Sequence, residues 1–251
     1  MTTIINNTAI EYLEDGRGPV ILMLHGWGDS MATFDRLADQ LATKFRVVRL
    51  DLPGHGRSQV PAEPWNLDHY VELVAAFIKK LGLDVELLVG HSFGGRIAIK
   101  GLADHRLRSP RTVLIASAGL RRSSPQRWPF MAIAKVGKWL TAVPPLRSIR
   151  SRLQAKLYRR AGSEYLDAGP LRPTFLNIVR EDLSGAAQQI DIPALLIWGE
   201  RDDATPLADG RRLAGLIPRS RLLVIPDASH FVHQEQPDRV ATAIEQFIFS
   251  K

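Results

Sequence analysis

Apolar and polar positions follow two alternating periods along most of the chain. Short apolar runs have the length and β-branched content of buried strands, and they read PVILMLHG, FRVVRL, VELLVG, TVLIASAG, PALLIWG and SRLLVIP. The segments between them have helical spacing, as in SMATFDRLADQLATK, where Phe34, Leu37 and Leu41 share one face. Strands that alternate with helices in this way predict an α/β fold, with a mostly parallel twisted sheet and helices on both of its faces.

The boundaries of several elements are also marked. At the amino end, IIN and AIEYLED flank an NNT turn, which predicts a hairpin at the edge of the sheet. Gly82 ends a helix that begins near residue 67, and further helices are predicted from about Gly95 to Leu107, over LADGRRLAGLI, and from about Asp238 to Phe249. The alternation stops between residues 120 and 190. We therefore predict a core domain formed by residues 1–119 and 191–251, with residues 120–190 as an insertion.

Composition narrows the possible chemistry. The 251 residues are 45% hydrophobic and 24% charged, which is typical of a globular chain long enough to bury a full core. The chain contains no cysteine, which excludes thiolate metal sites and means that a nucleophile would have to be an oxygen or nitrogen atom. The first 18 residues lack the basic and apolar regions of a signal peptide, and no apolar stretch has the length that spans a bilayer. We expect a cytoplasmic protein.

The positive charge is concentrated in one segment. Eleven basic residues and no acidic ones lie between Arg121 and Arg160. Because the whole chain carries a net charge of +7, the remainder of the sequence is net negative. We therefore expect no nucleic-acid partner.

Four predicted strand ends carry reactive side chains, and the first of them presents a serine. VELLVG runs into Gly90-His91-Ser92-Phe93-Gly94, a G-x-S-x-G pattern between a strand and a helix. A side chain at Gly90 or Gly94 would collide with the neighbouring strand or helix as the chain reverses. This context predicts that Ser92 is exposed on a strained turn, where a base could activate its hydroxyl.

A histidine and an acid follow two later strands. His230 lies in IPDASHFVHQEQP just after the last strand, and we favour it as the base because His233 already falls within the next turn. Asp202 and Asp203 in ALLIWGERDDATP are equally placed to orient the imidazole. We interpret His25, His55, Asp51, Arg57 and Ser58 as residues that brace loops.

Together these motifs resemble the α/β-hydrolase superfamily. The resemblance rests on HGWG, DLPGHGRS, GHSFGG, WGERDDATP and SHFVHQEQP, in that order, and extends over nearly the whole chain outside residues 120–190. The family pattern W-G-x-x-D-x-x-x-P assigns the acid to Asp202, with Pro206 in register. The pattern H-x-x-x-x-E-x-P assigns the base to His230, with Glu235 in register.

The resemblance implies a serine hydrolase with Ser92, Asp202 and His230 as its catalytic triad. It also implies an oxyanion hole formed by the backbone N–H groups of Trp27 and Phe93. The candidate substrate-pocket residues are Trp27, His91, Phe130 and Phe231. The expected reaction is hydrolysis of small to medium acyl esters through an acyl-enzyme, with no metal and no organic cofactor.

The resemblance further implies that residues 120–190 form a helical lid. The segment WPFMAIAKVGKWLTAVPP places Phe130, Ile133, Gly137 and Leu140 on one face, which would pack over the active site. The basic residues of the lid would either contact anionic lipid or an anionic substrate weakly, or form a solvated face. We expect a small-molecule ester as substrate and a monomer or homodimer.

Two other functions are compatible with these motifs. One is hydrolysis of a C–C bond by the same triad, although HGWGDS differs from the glycine-rich loop of those enzymes and GHSFGG lacks their asparagine before the serine. The other is a non-catalytic ligand receptor or scaffold, for which a complete triad would be unnecessary. The serine at position 92 argues against the haloalkane dehalogenases and epoxide hydrolases of the family, whose nucleophile is an aspartate.

Overall fold

A computed structural model describes residues 1–121 and 169–249 of the chain. Its centre is one sheet of eight strands in the order β1-β2-β4-β3-β5-β6-β7-β8. The strands are β1 (Thr2–Ile5), β2 (Thr8–Asp15), β3 (Val20–Leu24), β4 (Arg46–Leu50), β5 (Val85–His91), β6 (Arg111–Ile115), β7 (Ala194–Gly199) and β8 (Ser220–Ile225). Strands β3 to β8 are mutually parallel, and β2 pairs antiparallel with β4. The predicted α/β fold is confirmed.

The predicted hairpin forms the β1 edge of the sheet. Ile5 pairs with Thr8, so only Asn6 and Asn7 connect the two strands. Both asparagines have positive φ, 47° and 61°, as a tight two-residue hairpin turn requires. Asparagine tolerates this region better than most residues, which explains why NNT marks the turn in the sequence.

Helices cover both faces of the sheet. They are α1 (Asp35–Leu41), α2 (Leu67–Lys80), α3 (Phe93–Ala103), α4 (Arg172–Arg180), α5 (Ser184–Gln188), α6 (Leu207–Leu216), α7 (Val232–Glu235) and α8 (Pro237–Phe249), with 3-10 turns at Met31–Phe34 and Gly169–Leu171. Alternate strand residues supply two apolar clusters. One packs against α2, α3, α5 and α6, and the other against α1 and α8. No helix in the described ranges is long and apolar enough to cross a membrane.

Helix α3 differs from its predicted range of Gly95 to Leu107. It begins at Phe93, directly after the serine, and ends at Ala103. The start is earlier because Ser92 takes the non-helical cap position within the turn itself. The end is earlier because His105 has a φ of 55°, a left-handed conformation that a helix cannot continue through.

Part of the predicted lid, residues 122–168 with Phe130, lies outside the described residues. Residues 169–190 contain α4 and α5, and α4 is fastened to the core along its length. The guanidinium of Arg96, on α3, donates hydrogen bonds of 2.5 Å to the carbonyls of Ile178 and Glu181. The Thr174 hydroxyl accepts the Trp65 N–H at 3.0 Å. These bonds fix α4 beside the carboxyl ends of the central strands.

Candidate active site

Ser92 lies on the abrupt turn between β5 and α3. Its φ of 48° and ψ of −105° are strained for a residue with a side chain. The Ser92 N–H donates to the Ile115 carbonyl at 3.0 Å, which holds the turn against the end of β6. A Cβ at Gly90 would lie 2.6 Å from the Gly94 backbone, and one at Gly94 would overlap the Leu24 carbonyl. The two glycines therefore permit the close approach that the sequence predicted.

The loop after β3 is joined to this turn. The Gly94 N–H donates to the His25 carbonyl at 3.0 Å, and a Cβ at Gly26 would be 3.4 Å from Ser92 Cβ. Trp27 follows at once. Within residues 1–121 and 169–249, neither the Trp27 N–H nor the Phe93 N–H has a hydrogen-bond acceptor. Two unpaired donors beside a serine can hold an anion, and the Phe93 N–H also lies at the positive end of α3.

His230 and Asp202 face each other across the loops after β8 and β7. His230 Nδ1 is 3.0 Å from Asp202 Oδ2, and the Asp202 side chain is fully buried. Its Oδ1 accepts the N–H groups of Ala204 at 2.9 Å and Thr205 at 2.8 Å. In the described part of the chain no hydrogen bond reaches His230 Nε2, from Ser92 Oγ or from any other group, so this nitrogen can accept a proton. Asp203 is exposed and makes no such contact with the imidazole.

His233 and His91 pack beneath His230 rather than beside it. His233 is fully buried in α7, and its Nε2 lies 2.9 Å from the Thr33 hydroxyl. His91 is 1% exposed, and its Nε2 is 3.2 Å from the His230 carbonyl. Burial lowers the pKa of both imidazoles, that of His233 to about 3, because a charge there would be poorly solvated. His91 continues the inward-facing row of Leu87 and Val89, and its place in the substrate pocket stays a prediction.

Aromatic side chains cluster around Trp27, in the loop that is joined to the serine turn. The Trp27 ring contacts those of His55, Phe93 and Phe175, with centroid distances of 4.7, 5.4 and 5.2 Å. Phe175 belongs to α4 and was not among the predicted pocket residues, because its position next to Trp27 depends on the fastening of α4. Phe231 is 40% exposed, and its ring centroid lies 5.4 Å from that of His230.

The predicted loop-bracing residues are confirmed in that role. Asp51 Oδ1 accepts the Met31 N–H and Oδ2 accepts the Arg57 N–H, both at 2.8 Å. The Ser58 hydroxyl donates to the Asp51 carbonyl at 2.6 Å. His25 Nε2 accepts the Leu52 N–H at 2.9 Å, and burial lowers the pKa of this imidazole, which keeps it neutral. These bonds join the loop after β3, which contains Trp27, to the loop after β4.

Sequence reasoning missed Thr205, whose hydroxyl lies 2.8 Å from Asp202 Oδ2. The signal was present in the sequence, since Thr205 follows Asp202 by three residues. An aspartate commonly accepts hydrogen bonds from the backbone at that spacing in a turn.

The chain is similar in sequence and fold to known proteins. The sequence profile of a family described as the Alpha/beta hydrolase family matches residues 21–243. The chain belongs to this family. The hydrolase is 32% identical over 249 residues to the pimeloyl-[acyl-carrier protein] methyl ester esterase of Chromobacterium violaceum. The aligned region covers 88% of this chain and 91% of the relative.

Two further relatives are similar along nearly their whole length. This hydrolase is 27% identical over 263 residues to the 2-(acetamidomethylene)succinate hydrolase of Mesorhizobium japonicum, with 97% of this chain and 93% of the relative covered. Among solved structures it is similar to the enol-lactonase from Burkholderia xenovorans, with a TM-score of 0.74, 25% identity and full coverage of both chains. With its family and its esterase and hydrolase relatives, the protein is an enzyme of the hydrolase class.

Proposed function

We propose that this hydrolase cleaves carboxylic esters through an acyl-enzyme on Ser92. The observation that carries the proposal is the 3.0 Å contact between His230 Nδ1 and Asp202 Oδ2, located at the same edge of the sheet as the strained Ser92 turn. A buried carboxylate on Nδ1 fixes the imidazole with its basic Nε2 directed outward. This is the tautomer that a general base for a serine hydroxyl needs.

In the proposed reaction, His230 Nε2 accepts the hydroxyl proton while Ser92 Oγ bonds to the ester carbonyl carbon. The carbonyl π electrons move to its oxygen, which the Trp27 and Phe93 N–H groups bind; each such donor contributes about 3 kcal/mol to transition-state stability. The imidazolium then protonates the leaving alcohol as the C–O bond breaks. Water, deprotonated by the same imidazole, releases the acid and restores Ser92.

The substrate side of the proposal combines pocket and charge. We propose that Trp27, Phe175 and Phe231 form apolar walls that suit an acyl chain of small to medium length. We propose that residues 120–190 form the lid over this pocket and that its basic residues favour anionic substrates. The relative from Chromobacterium violaceum is named for a methyl ester carried on acyl-carrier protein, so methyl esters of carrier-bound acyl chains belong in the substrate panel.

The test is hydrolysis of a series of p-nitrophenyl esters of increasing acyl length by the wild type and by Ser92→Ala. We expect turnover of short and medium chains, with a rapid initial release of p-nitrophenol equal to the enzyme concentration, and loss of kcat by on the order of 10⁵-fold or more in the variant. Ser117→Ala is the matched control, because Ser117 is buried nearby and, among residues 1–121 and 169–249, its hydroxyl bonds only to the Ala118 carbonyl, at 3.0 Å.

Ester turnover that survives Ser92→Ala would contradict the proposed mechanism. Absence of turnover with every chain length, for a folded wild type, would favour C–C bond hydrolysis or a non-catalytic ligand-binding role. A vinylogous diketone substrate would separate those two outcomes, because only the former consumes it.

A further inference from the structure

The backbone of Thr205 is hydrogen-bonded both to Trp198, in β7, and to Asp202. The residue is 7% exposed. Its N–H donates to Asp202 Oδ1 at 2.8 Å, and its carbonyl accepts the indole N–H of the fully buried Trp198 at 2.7 Å. These two bonds fix the backbone of Thr205 relative to Asp202 and β7.

The Thr205 hydroxyl lies at the junction of three groups. Its oxygen is 2.8 Å from Asp202 Oδ2, 3.0 Å from the Ala116 carbonyl and 3.3 Å from His230 Nδ1. A hydroxyl has one proton, so it donates to either oxygen at a given moment while its lone pairs remain able to accept the Nδ1 proton. Ala116 directly follows β6 and has a φ of 44°, and its carbonyl points toward the loop after β7.

The two carboxylate oxygens of Asp202 are therefore held by different means. Oδ1 accepts two backbone N–H groups, which fix its position through the turn itself. Oδ2 contacts the imidazole and the Thr205 hydroxyl. Removal of the hydroxyl leaves the face of the imidazole that meets Asp202 with a single partner, and a small rotation of either group would misalign Nε2 with Ser92.

We propose that Thr205 is a positioning residue, whose hydroxyl sets the orientation of the Asp202–His230 pair. This inference rests on the proposed function of that pair. Thr205 is buried behind Asp202 and acts only through it and His230. Its loss should therefore lower kcat, because transition-state geometry suffers, and leave KM nearly unchanged.

The experiment compares Thr205→Val, Thr205→Ala and Thr205→Ser on the best p-nitrophenyl ester. We expect the two hydroxyl-free variants to lose kcat by about 10-fold to 100-fold with KM within about twofold, and the serine variant to remain within about threefold of the wild type. Valine preserves the shape of threonine, and alanine avoids a methyl group where Oγ had been. Agreement between them excludes an effect of bulk.

Thr112→Val is the matched control. Thr112 is fully buried near the amino end of β6, and its hydroxyl donates to the Leu88 carbonyl at 2.9 Å, far along the strand from the site. Both valine variants remove a buried hydroxyl that donates a hydrogen bond, so urea unfolding should show a loss of stability in each. Only the Thr205 variant should lose kcat.

Two results would overturn the inference: equal kcat for Thr205→Val and Thr112→Val, or a serine variant as impaired as the valine variant. Failure of the proposed function looks different, because Ser92→Ala would then retain turnover. An inactive Ser92→Ala together with a fully active Thr205→Val overturns the role of Thr205 alone.

Discussion

Two adjacent aspartates follow β7, and their surroundings assign them different roles. Asp202 is 4% exposed and accepts two backbone N–H groups in addition to facing His230, whereas Asp203 is exposed to solvent. A charged hydrogen bond is strong where water is excluded and weak where water competes for it. The buried residue is therefore the one able to hold the imidazole.

We predict that Asp202→Asn lowers kcat by on the order of 10³-fold to 10⁴-fold. The amide stabilises the wrong imidazole tautomer, and it lacks the negative charge that stabilises the imidazolium. Asp203→Asn, which makes the same change one residue later, should remain within about twofold of the wild type. Initial rates on a p-nitrophenyl ester measure both. A larger loss in the Asp203 variant would reassign the acid.

The same distinction separates the histidines. His230 lies at the carboxyl edge, and no group in the described ranges bonds to its Nε2. His233, three residues later, is buried, and its Nε2 forms a hydrogen bond with Thr33. The difference arises because β8 ends at Ile225 and a loop carries His230 outward before α7 turns the chain back. Chemical identity alone does not distinguish two imidazoles. Their hydrogen-bond partners do.

At the scale of elements, helix α6 contains two glycines with opposite surroundings. A Cβ on Gly210 would lie 2.7 Å from the ring of Trp198, which is fully buried and cannot move aside. A Cβ on Gly215 would meet nothing within 4 Å. Gly210 lets the helix approach β7 closely, and through Trp198 it supports the loop that bears Asp202. Gly215 has no comparable contact.

We predict that Gly210→Ala destabilises the protein by about 1–3 kcal/mol through overpacking. Gly215→Ala should stabilise it by about 0.5–1 kcal/mol, because alanine loses less backbone entropy in a helix. Urea unfolding of the two variants against the wild type measures both signs. Changes of the same sign at the two positions would show that helix propensity, rather than contact with Trp198, decides the outcome.

At the scale of the whole molecule, four imidazoles are buried, and their rings are in contact in two pairs. They are His25, His55, His91 and His233. Burial is the largest cause of a lowered pKa at each, and it brings the pKa of His55 to about 4 and that of His233 to about 3. In the unfolded chain these groups would take up a proton near pH 6.5.

The folded state therefore binds fewer protons than the unfolded state below about pH 6.5. We predict that the free energy of unfolding falls as the pH decreases through this range, by up to about 1.4 kcal/mol per pH unit for each such histidine. His233 contributes down to its folded pKa of about 3. Urea unfolding at intervals from pH 7 to pH 5 gives the slope.

His233→Gln tests the source of that slope. Glutamine does not titrate and can still form a hydrogen bond with the Thr33 hydroxyl, so the variant should show a shallower dependence by about the share of one histidine. Identical slopes for the variant and the wild type would mean that His233 is charged in the folded protein or that other groups govern acid unfolding.

Outside residues 120–190, the sequence by itself determined the succession of strands and helices along the chain. It also determined the edge hairpin and which residues stand at each strand end. It could do so because these depend on local periodicity, on turn residues such as Asn6 and Asn7, and on motifs within a few positions of each other. The glycines around Ser92 belong to the same class, since the turn that needs them lies within their own segment.

Only the tertiary structure decided which of these residues meet. Residues 92, 202 and 230 are far apart in sequence. The family pattern already assigned the acid to Asp202, but the burial that distinguishes Asp202 from Asp203 is a property of the fold. The Thr205 hydroxyl contacts Ala116 and His230, which lie on two other loops. Phe175 contacts Trp27 because Arg96 holds α4 in place. Contacts between distant segments follow from how the whole sheet packs, and the free energy of that packing is shared across the chain.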